Sequence, residues 1–560
     1  MTGAGTPTAQ AKDALLYSLP ALDGTVWLGL RPASLAALGA AVATAVAASL
    51  AGVPLPLAAV LLVAGTASAV VPLAGRTALS WCPLLARHLV SRLRRRRGWT
   101  HDLHELGDDD RRRRPDIGPG PAAAADPTSR LTDGPGSGRS PAIAGGEMQR
   151  VPLPPECGRL HLRALGPNAG DRPPVGVLVD RGSGELTVVF EVTGTDRFAL
   201  LEPAGQDTHL ARWGTCLSAL AADHRVLRVQ WLTHTRPDTR RHYDDFDDRS
   251  DQDDQKGRDE GEAQSPTGAP DASTIQTGDL GADYRQLVAR AARAALHHEH
   301  LLTLTLAPAG GGRVSSDGRP AGSRVAAPGQ DHALVEVVRD LAAVLLTADL
   351  LPHPLSPAEL GTAIRRLCDP TLTDPTQALA DPRQWGVLSR QRRWDSCRTD
   401  DGVHRSYALT GWPRLALPAD WLAPVLHAAP PDGTSRTFAV HAQPVAPAHA
   451  ARRARAATAK ARLDAADRSR LGFSPAAADT LAQTDAAALE AELVAGYRLT
   501  YLTALLTISA PDLPRLAVAS QALQTLAVTH RLDLRPLHGQ HPAGLVGCLP
   551  LGRALPGAAR

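Results

Sequence analysis

Lysine is almost missing from this chain, and cysteine and aromatic residues are sparse. Only Lys12, Lys256 and Lys460 occur among 60 basic residues. A nucleotide-binding P-loop needs Gly-Lys-Ser/Thr, because the lysine reaches the phosphates and the hydroxyl holds magnesium. None of the three lysines follows a glycine or precedes Ser or Thr, which excludes a Walker-type NTPase. Neither a Gly-x-Ser-x-Gly elbow nor a His-Glu-x-x-His pair is present. The six cysteines (Cys82, Cys157, Cys216, Cys368, Cys397, Cys548) are never closer than 29 positions. That spacing disfavours zinc and redox motifs, and a disulfide framework does not suit so long and cysteine-poor a chain. With 4% aromatic residues, the cores must be built from Leu, Ala and Val. The net charge of +3 over 560 residues gives no general field for nucleic acid, so cationic charge matters only locally.

Two uncharged stretches stand near the start, Ala33 to Leu50 and Leu57 to Ala74, separated by Gly52-Val53-Pro54-Leu55-Pro56. Each is close to the roughly 20 residues that cross a bilayer. Trp27 and Trp81 flank them where an interfacial aromatic belt would lie. Arg31, Arg76, Arg92 and the run Arg94, Arg95, Arg96, Arg97 sit on one side of the pair. The positive-inside rule then predicts a multi-pass protein of the inner (cytoplasmic) membrane with both termini cytoplasmic. Membrane lipids are the expected partner of the arginine run.

The chain divides accordingly. Residues 1–30 are an N-terminal cytoplasmic segment, 31–75 a transmembrane helical hairpin, 76–99 a basic juxtamembrane helix and 100–150 a disordered linker. Residues 151–428 form an α+β domain with a disordered insert at 237–281, and 429–560 a C-terminal ferredoxin-like α+β domain. Strands are predicted at Val175 to Val179, Leu186 to Val192, Val226 to Thr235 and Leu301 to Leu306. Helices are predicted at Ala204 to Ala222, Tyr284 to His297, Ala333 to Leu350 and Pro357 to Leu367, the last with Ser356 as its cap. In the last third, strands are expected at Val403 to Leu409, Thr437 to Gln443 and Tyr497 to Ser509. Helices are expected at Ala446 to Arg470, Ala476 to Ala495 and Leu513 to His530, with a return strand at Leu532 to Pro536. The fold class is α+β: ferredoxin-like α/β sandwich domains behind a two-helix hairpin.

No residue set suggests a cofactor, metal or catalytic centre. His297-His298-Glu299-His300 reads as a polar helix end, since adjacent helical residues point different ways. Asp251 to Glu262 lacks the glycine a calcium loop needs and reads as plain acidic chain. The most distinctive stretch runs from Arg390 through Arg393, Trp394, His404, Arg405, Tyr407 and Trp412. It is the candidate partner contact.

The two spans, the basic run, Leu153 to Leu160, Trp394-Asp395, His404-Arg405-Ser406-Tyr407 and Trp412-Pro413-Arg414 together resemble actinobacterial conjugation-like (type IV secretion-like) membrane proteins. The hairpin resembles the PrgI type, and the rest resembles the non-motor N-terminal part of conjugation ATPases. The layout is also similar to the EccE-type component of type VII secretion. Either resemblance implies an oligomeric, non-enzymatic scaffold subunit. It would anchor domains that contact a partner ATPase and neighbouring membrane subunits. A membrane-anchored nucleic-acid-binding protein, using the arginines at 92–97 and 390–393, is the alternative.

Overall fold

The computed structural model describes residues 32–93, 98–100, 148–166, 174–194, 198–237, 296–308, 330–372 and 384–555, apart from short stretches within the first and last of these. It begins with helices α1 (Pro32–Leu50) and α2 (Leu55–Val70), a two-residue hairpin of β1 (Pro72–Leu73) and β2 (Arg76–Thr77), and α3 (Ala78–Leu93). Two short strands follow, β3 (Gly98–Thr100) and β4 (Met148–Arg150).

The first half of the main body holds β5 (Leu160–Leu165), β6 (Val175–Asp180), β7 (Leu186–Thr193), α4 (Pro203–Ala222), β8 (Val226–Pro237), β9 (Leu296–Leu306), α5 (Gln330–Leu346), β10 (Leu351–Pro354) and α6 (Pro357–Cys368). The second half holds β11 (Ser389–Arg392), β12 (Cys397–Thr399), β13 (Val403–Gly411), α7 (Ala423–His427), β14 (Ser435–Pro444), α8 (Pro447–Arg470), α9 (Ala477–Val494), β15 (Thr500–Ala510), α10 (Leu513–Thr529), β16 (Asp533–Pro536) and α11 (His541–Gly547).

Among the described residues, fourteen strands share one sheet. Twelve follow the path β3-β11-β12-β13-β15-β14-β8-β9-β7-β6-β5-β4, with β10 added to β7 and β16 to β13. Every pairing is antiparallel. The same βαββαβ unit occurs twice. In the first, β7, β8, β9 and β10 lie in the order β10-β7-β9-β8; in the second, β13, β14, β15 and β16 lie in the order β16-β13-β15-β14. This is the ferredoxin-like arrangement. The units join through their second strands, with Ala439 on β14 opposite Leu232 on β8. The second unit therefore starts at β13, and the boundary expected at 428 would cut it between two of its strands.

Strand alternation sends side chains to opposite faces. On one face Val188, Phe190, Leu302 and Leu304 meet α4 and α5 through Leu220, Leu341 and Leu345. Leu506 and Ile508 meet α10 through Leu516 and Leu523 on the same face. On the other face Val189, Leu232 and Leu301 pack under α6 and the chain after α11, through Leu360, Ile364, Leu549 and Leu551. Each such leucine, fully buried, contributes roughly 1.5–3 kcal/mol. Helix α6 starts at a full capping box: Ser356 Oγ accepts from Glu359 N, and the Glu359 carboxylate accepts from Ser356 N. Gly361 lies flat against Trp385, where a Cβ would come within 2.2 Å of the indole. The salt bridge from Arg390 on β11 to Glu156, just ahead of β5, spans 2.7 Å and draws the two ends of the sheet together over α6.

The expected transmembrane hairpin over 31–75 is overturned. Among the described residues, no helix is long and apolar enough to cross a membrane. Helix α2 has 16 residues and ends at Val70, where the chain turns into β1. At 1.5 Å per residue it is about 24 Å long, short of the roughly 30 Å hydrocarbon core. Helix α1 is built largely from alanine, which carries little apolar area per turn. The multi-pass inner-membrane location rested on the same hairpin and falls with it. The helices pair instead through small residues, with Ala45 and Ala58 buried. A second correction concerns His297 to His300, expected at a helix end: all four lie on β9. The helix expected at Tyr284 to His297 falls, up to residue 295, outside the described residues.

Candidate functional site

Helix α3 brings two parts of the sequence reading together. Trp81, expected at a lipid interface, rests on Trp394 with ring centroids 5.9 Å apart and on His538 at 6.0 Å. Trp394 and His538 are stacked, with centroids 5.9 Å apart and planes 8° apart. His88, two helical turns beyond Trp81, meets the Trp394 ring edge-on at 5.1 Å. Aromatic pairs at these separations contribute about 0.5–1.5 kcal/mol beyond the area they bury. The N-terminal helices are thus joined to the second βαββαβ unit by an aromatic seam, extended by pairing of β3 with β11.

The loop bearing Trp394 is fixed from below. Gly539 donates its N–H to Trp394 O at 2.7 Å, and its own carbonyl accepts from Arg392. With φ of +66° and the indole 3.1 Å from where a Cβ would stand, this position requires glycine. Arg393 contributes its backbone N–H to Ser396 O at 3.0 Å. Arg405 donates to Asp395 O at 3.0 Å and pairs with the Asp395 carboxylate at 3.5 Å. Trp394, Arg405 and the Arg393 backbone therefore gather on one surface.

His404 and Tyr407, expected beside them as partner contacts, are fully buried and present nothing to a partner. His404 sits between Thr399 Oγ1 at 2.9 Å and Ser509 Oγ at 2.8 Å, and burial lowers its pKa to about 4. Tyr407 packs in the core under α10. The sequence could not show this, because β13 alternates and sends both residues inward to opposite faces of the sheet. Trp27, Arg31, Arg94, Arg95, Arg96, Arg97 and Trp412 lie outside the described residues. Arg76 falls on β2 and Arg92 on α3, and only their backbone is described.

The arginines proposed for nucleic acid at 390–393 are largely committed: Arg390 to Glu156 and Arg392 to Gly539 O. Among the described residues, no group of three His, Cys, Asp or Glu side chains is placed to hold a metal ion. Burial pushes the thiols of Cys397 and Cys548 up to about 12, which keeps them protonated and unreactive. Shallow grooves occur among the described residues. One of about 320 Å³ lies between α4 and the end of α9, lined by Leu217, Glu492, Tyr497 and Arg498. One of about 110 Å³ lies between α10 and the Pro430-Pro431 turn. Neither includes the aromatic seam.

Sequence reading missed the segment after Pro536. Helix α11 and residues up to Arg553 cross the sheet as a strap. Gln230 on β8, His441 on β14 and Ser406 on β13 all bond to it. Its signal in sequence was weak, since glycines and prolines there read as loop. No family model matches the chain, and no curated protein matches it.

Proposed function

We propose that this protein is a scaffold subunit of a multi-protein transfer or secretion machine, and that helices α1 and α2 are the surface by which it joins its partners. The observation carrying the proposal is an uncovered apolar row. Val42, Val46 and Leu50 recur every four residues on one side of α1, and Leu50 is 85% exposed. Leu57, Val60 and Val63 on α2 are each more than half exposed. Contiguous apolar surface of this kind marks interaction sites. The aromatic seam would transmit the position of this helix pair to the sheet. The resemblance to conjugation-like and EccE-type proteins supports a motor ATPase as the partner, with the scaffold itself non-enzymatic.

The test is site-specific photocrosslinking from positions 46 and 60 in the native host, with identification of what is captured. Capture of a motor ATPase, lost when Val42→Asp and Val63→Asp are added elsewhere in the same row in a variant that still folds, is the expected result. Nucleotide turnover by the purified chain, or capture unchanged by the double substitution, would refute the reading.

A further inference from the structure

In both βαββαβ units a long connection joins the second and third strands. Between the second and third strands, the first unit has residues 238–295 and the second has the helical hairpin α8–α9. Ala442 near the end of β14 lies opposite Val229 near the start of β8. The hairpin therefore leaves one end of the sheet, and the 238–295 connection leaves the other, at Pro237.

The outward face of α8 is basic. Arg452, Arg455 and Arg462 are exposed, and none pairs with a carboxylate among the described residues. They flank a low ridge of Ala456, Ala459 and Leu463, the last 63% exposed. The carboxylates and hydroxyls facing α8 from α9 and β15 are taken by other groups: Asp479 by Arg468 at 3.0 Å, Glu490 by Thr458 at 3.4 Å and Tyr501 by Arg453 at 2.7 Å. The opposite connection has the complementary charge. From Asp244 to Glu262 it has ten carboxylates and three basic side chains, a net of −7.

We infer that the acidic segment 244–262 of one copy of this chain docks on the basic face of α8 of a second copy. Docking within one chain would require the segment to return along the sheet from Pro237, about 26 Å along β8 alone at about 3.3 Å per residue. A second copy arranged head-to-tail needs no such path. Each copy carries both halves of the contact, so it closes reciprocally as a two-fold pair or extends into a ring or filament. The apolar ridge between the arginines suits a peptide better than a phosphate backbone. This surface is separate from α1–α2 and does not depend on the proposed partner there.

Three full-length chains test it by sedimentation: wild type, R452E/R455E/R462E, and a chain with 244–262 replaced by a Gly/Ser linker of equal length. Wild type should self-associate at about 50 mM salt and at least tenfold less tightly at about 500 mM, where screening is strong. Each altered chain alone should not associate. A mixture of the two should form one-to-one pairs, because each supplies the half the other lacks. Circular dichroism checks that the exposed substitutions leave α8 folded. Salt-resistant association shared by all three chains, or failure of the mixture to pair, would overturn the inference.

Discussion

The side-chain carbonyl of Gln230, at the centre of the sheet, accepts the backbone N–H of Gly552 at 3.0 Å across 322 positions of sequence. The same amide donates to Gly547 O at 3.2 Å and Leu549 O at 2.9 Å. From the neighbouring unit, His441 Nε2 reaches Gly547 O at 2.7 Å. The C-terminal strap is therefore held from both units where they join. Gln230 has no solvent exposure. Gln230→Ala would strand buried backbone groups, each at about 1–3 kcal/mol. The expected loss is about 2–4 kcal/mol, read as a lower urea midpoint, with earlier proteolysis after Leu537. An unchanged midpoint would mean the strap adds nothing to the joint.

Glu299 and Arg366 form a buried ion pair at 2.6 Å, tying β9 to α6. Burial raises the Glu299 pKa and Arg366 opposes the rise. Removing one partner leaves a charge without its counterpart, so Arg366→Met should cost about 3–5 kcal/mol. Glu299→Leu combined with Arg366→Met should recover most of that loss. Urea titrations of the single and double variants distinguish a needed charge pair from mere packing; equal losses in both would favour packing.

Trp81 and Trp394 should couple. If the seam holds the N-terminal helices, Trp81→Ala and Trp394→Ala will not add in their effect on stability. The interaction energy from a double-mutant cycle should be about 0.5–1.5 kcal/mol. Hydrogen exchange in α3 should accelerate in either single variant. Strict additivity would mean that α3 is held by other contacts.

Much of the main body was legible because its elements carry strong periodic signals. Helix α6 was marked by Ser356, Pro357 and Glu359, and α8, α9 and α10 begin and end within a residue or two of expectation. Their long amphipathic or alanine-rich runs allow little else. The failures have distinct causes. The α1–α2 pair lacks charge, and absence of charge was read as membrane hydrophobicity although alanine supplies little of it. His297 to His300 was read with a helical period because β9 carries polar residues on both faces at that end. The inward direction of His404 and Tyr407 depends on the register of β13 against β15, with His404 opposite Ser509. That pairing spans about a hundred residues and leaves no local mark.

The buried histidines predict how stability responds to acid. Burial lowers the pKa of His404 and His441 to about 4 and of His541 to about 3, and it lowers that of His234 as well. The Gly547 carbonyl and the Ser406 N–H bonded to His441 and His541 do not prevent this. In the unfolded chain these rings titrate near 6.5. Above that pH both states are neutral and the full stability is present. Between about 6.5 and about 4 the unfolded chain takes up protons that the folded chain does not, so stability falls as pH falls. Two carboxyls act in the opposite sense. Burial raises Glu299, and burial with Asp400 and Asp369 raises Asp401 against the pull of Arg365. Protonating them favours the folded state in part of the same window. Four histidines against two carboxyls set the net direction. The urea midpoint should be lower at about pH 5 than at about pH 7, and His441→Gln should flatten the slope between them. A midpoint independent of pH, or one that rises on acidification, would show that the carboxyls dominate and that the strap is not the acid-sensitive part of the fold.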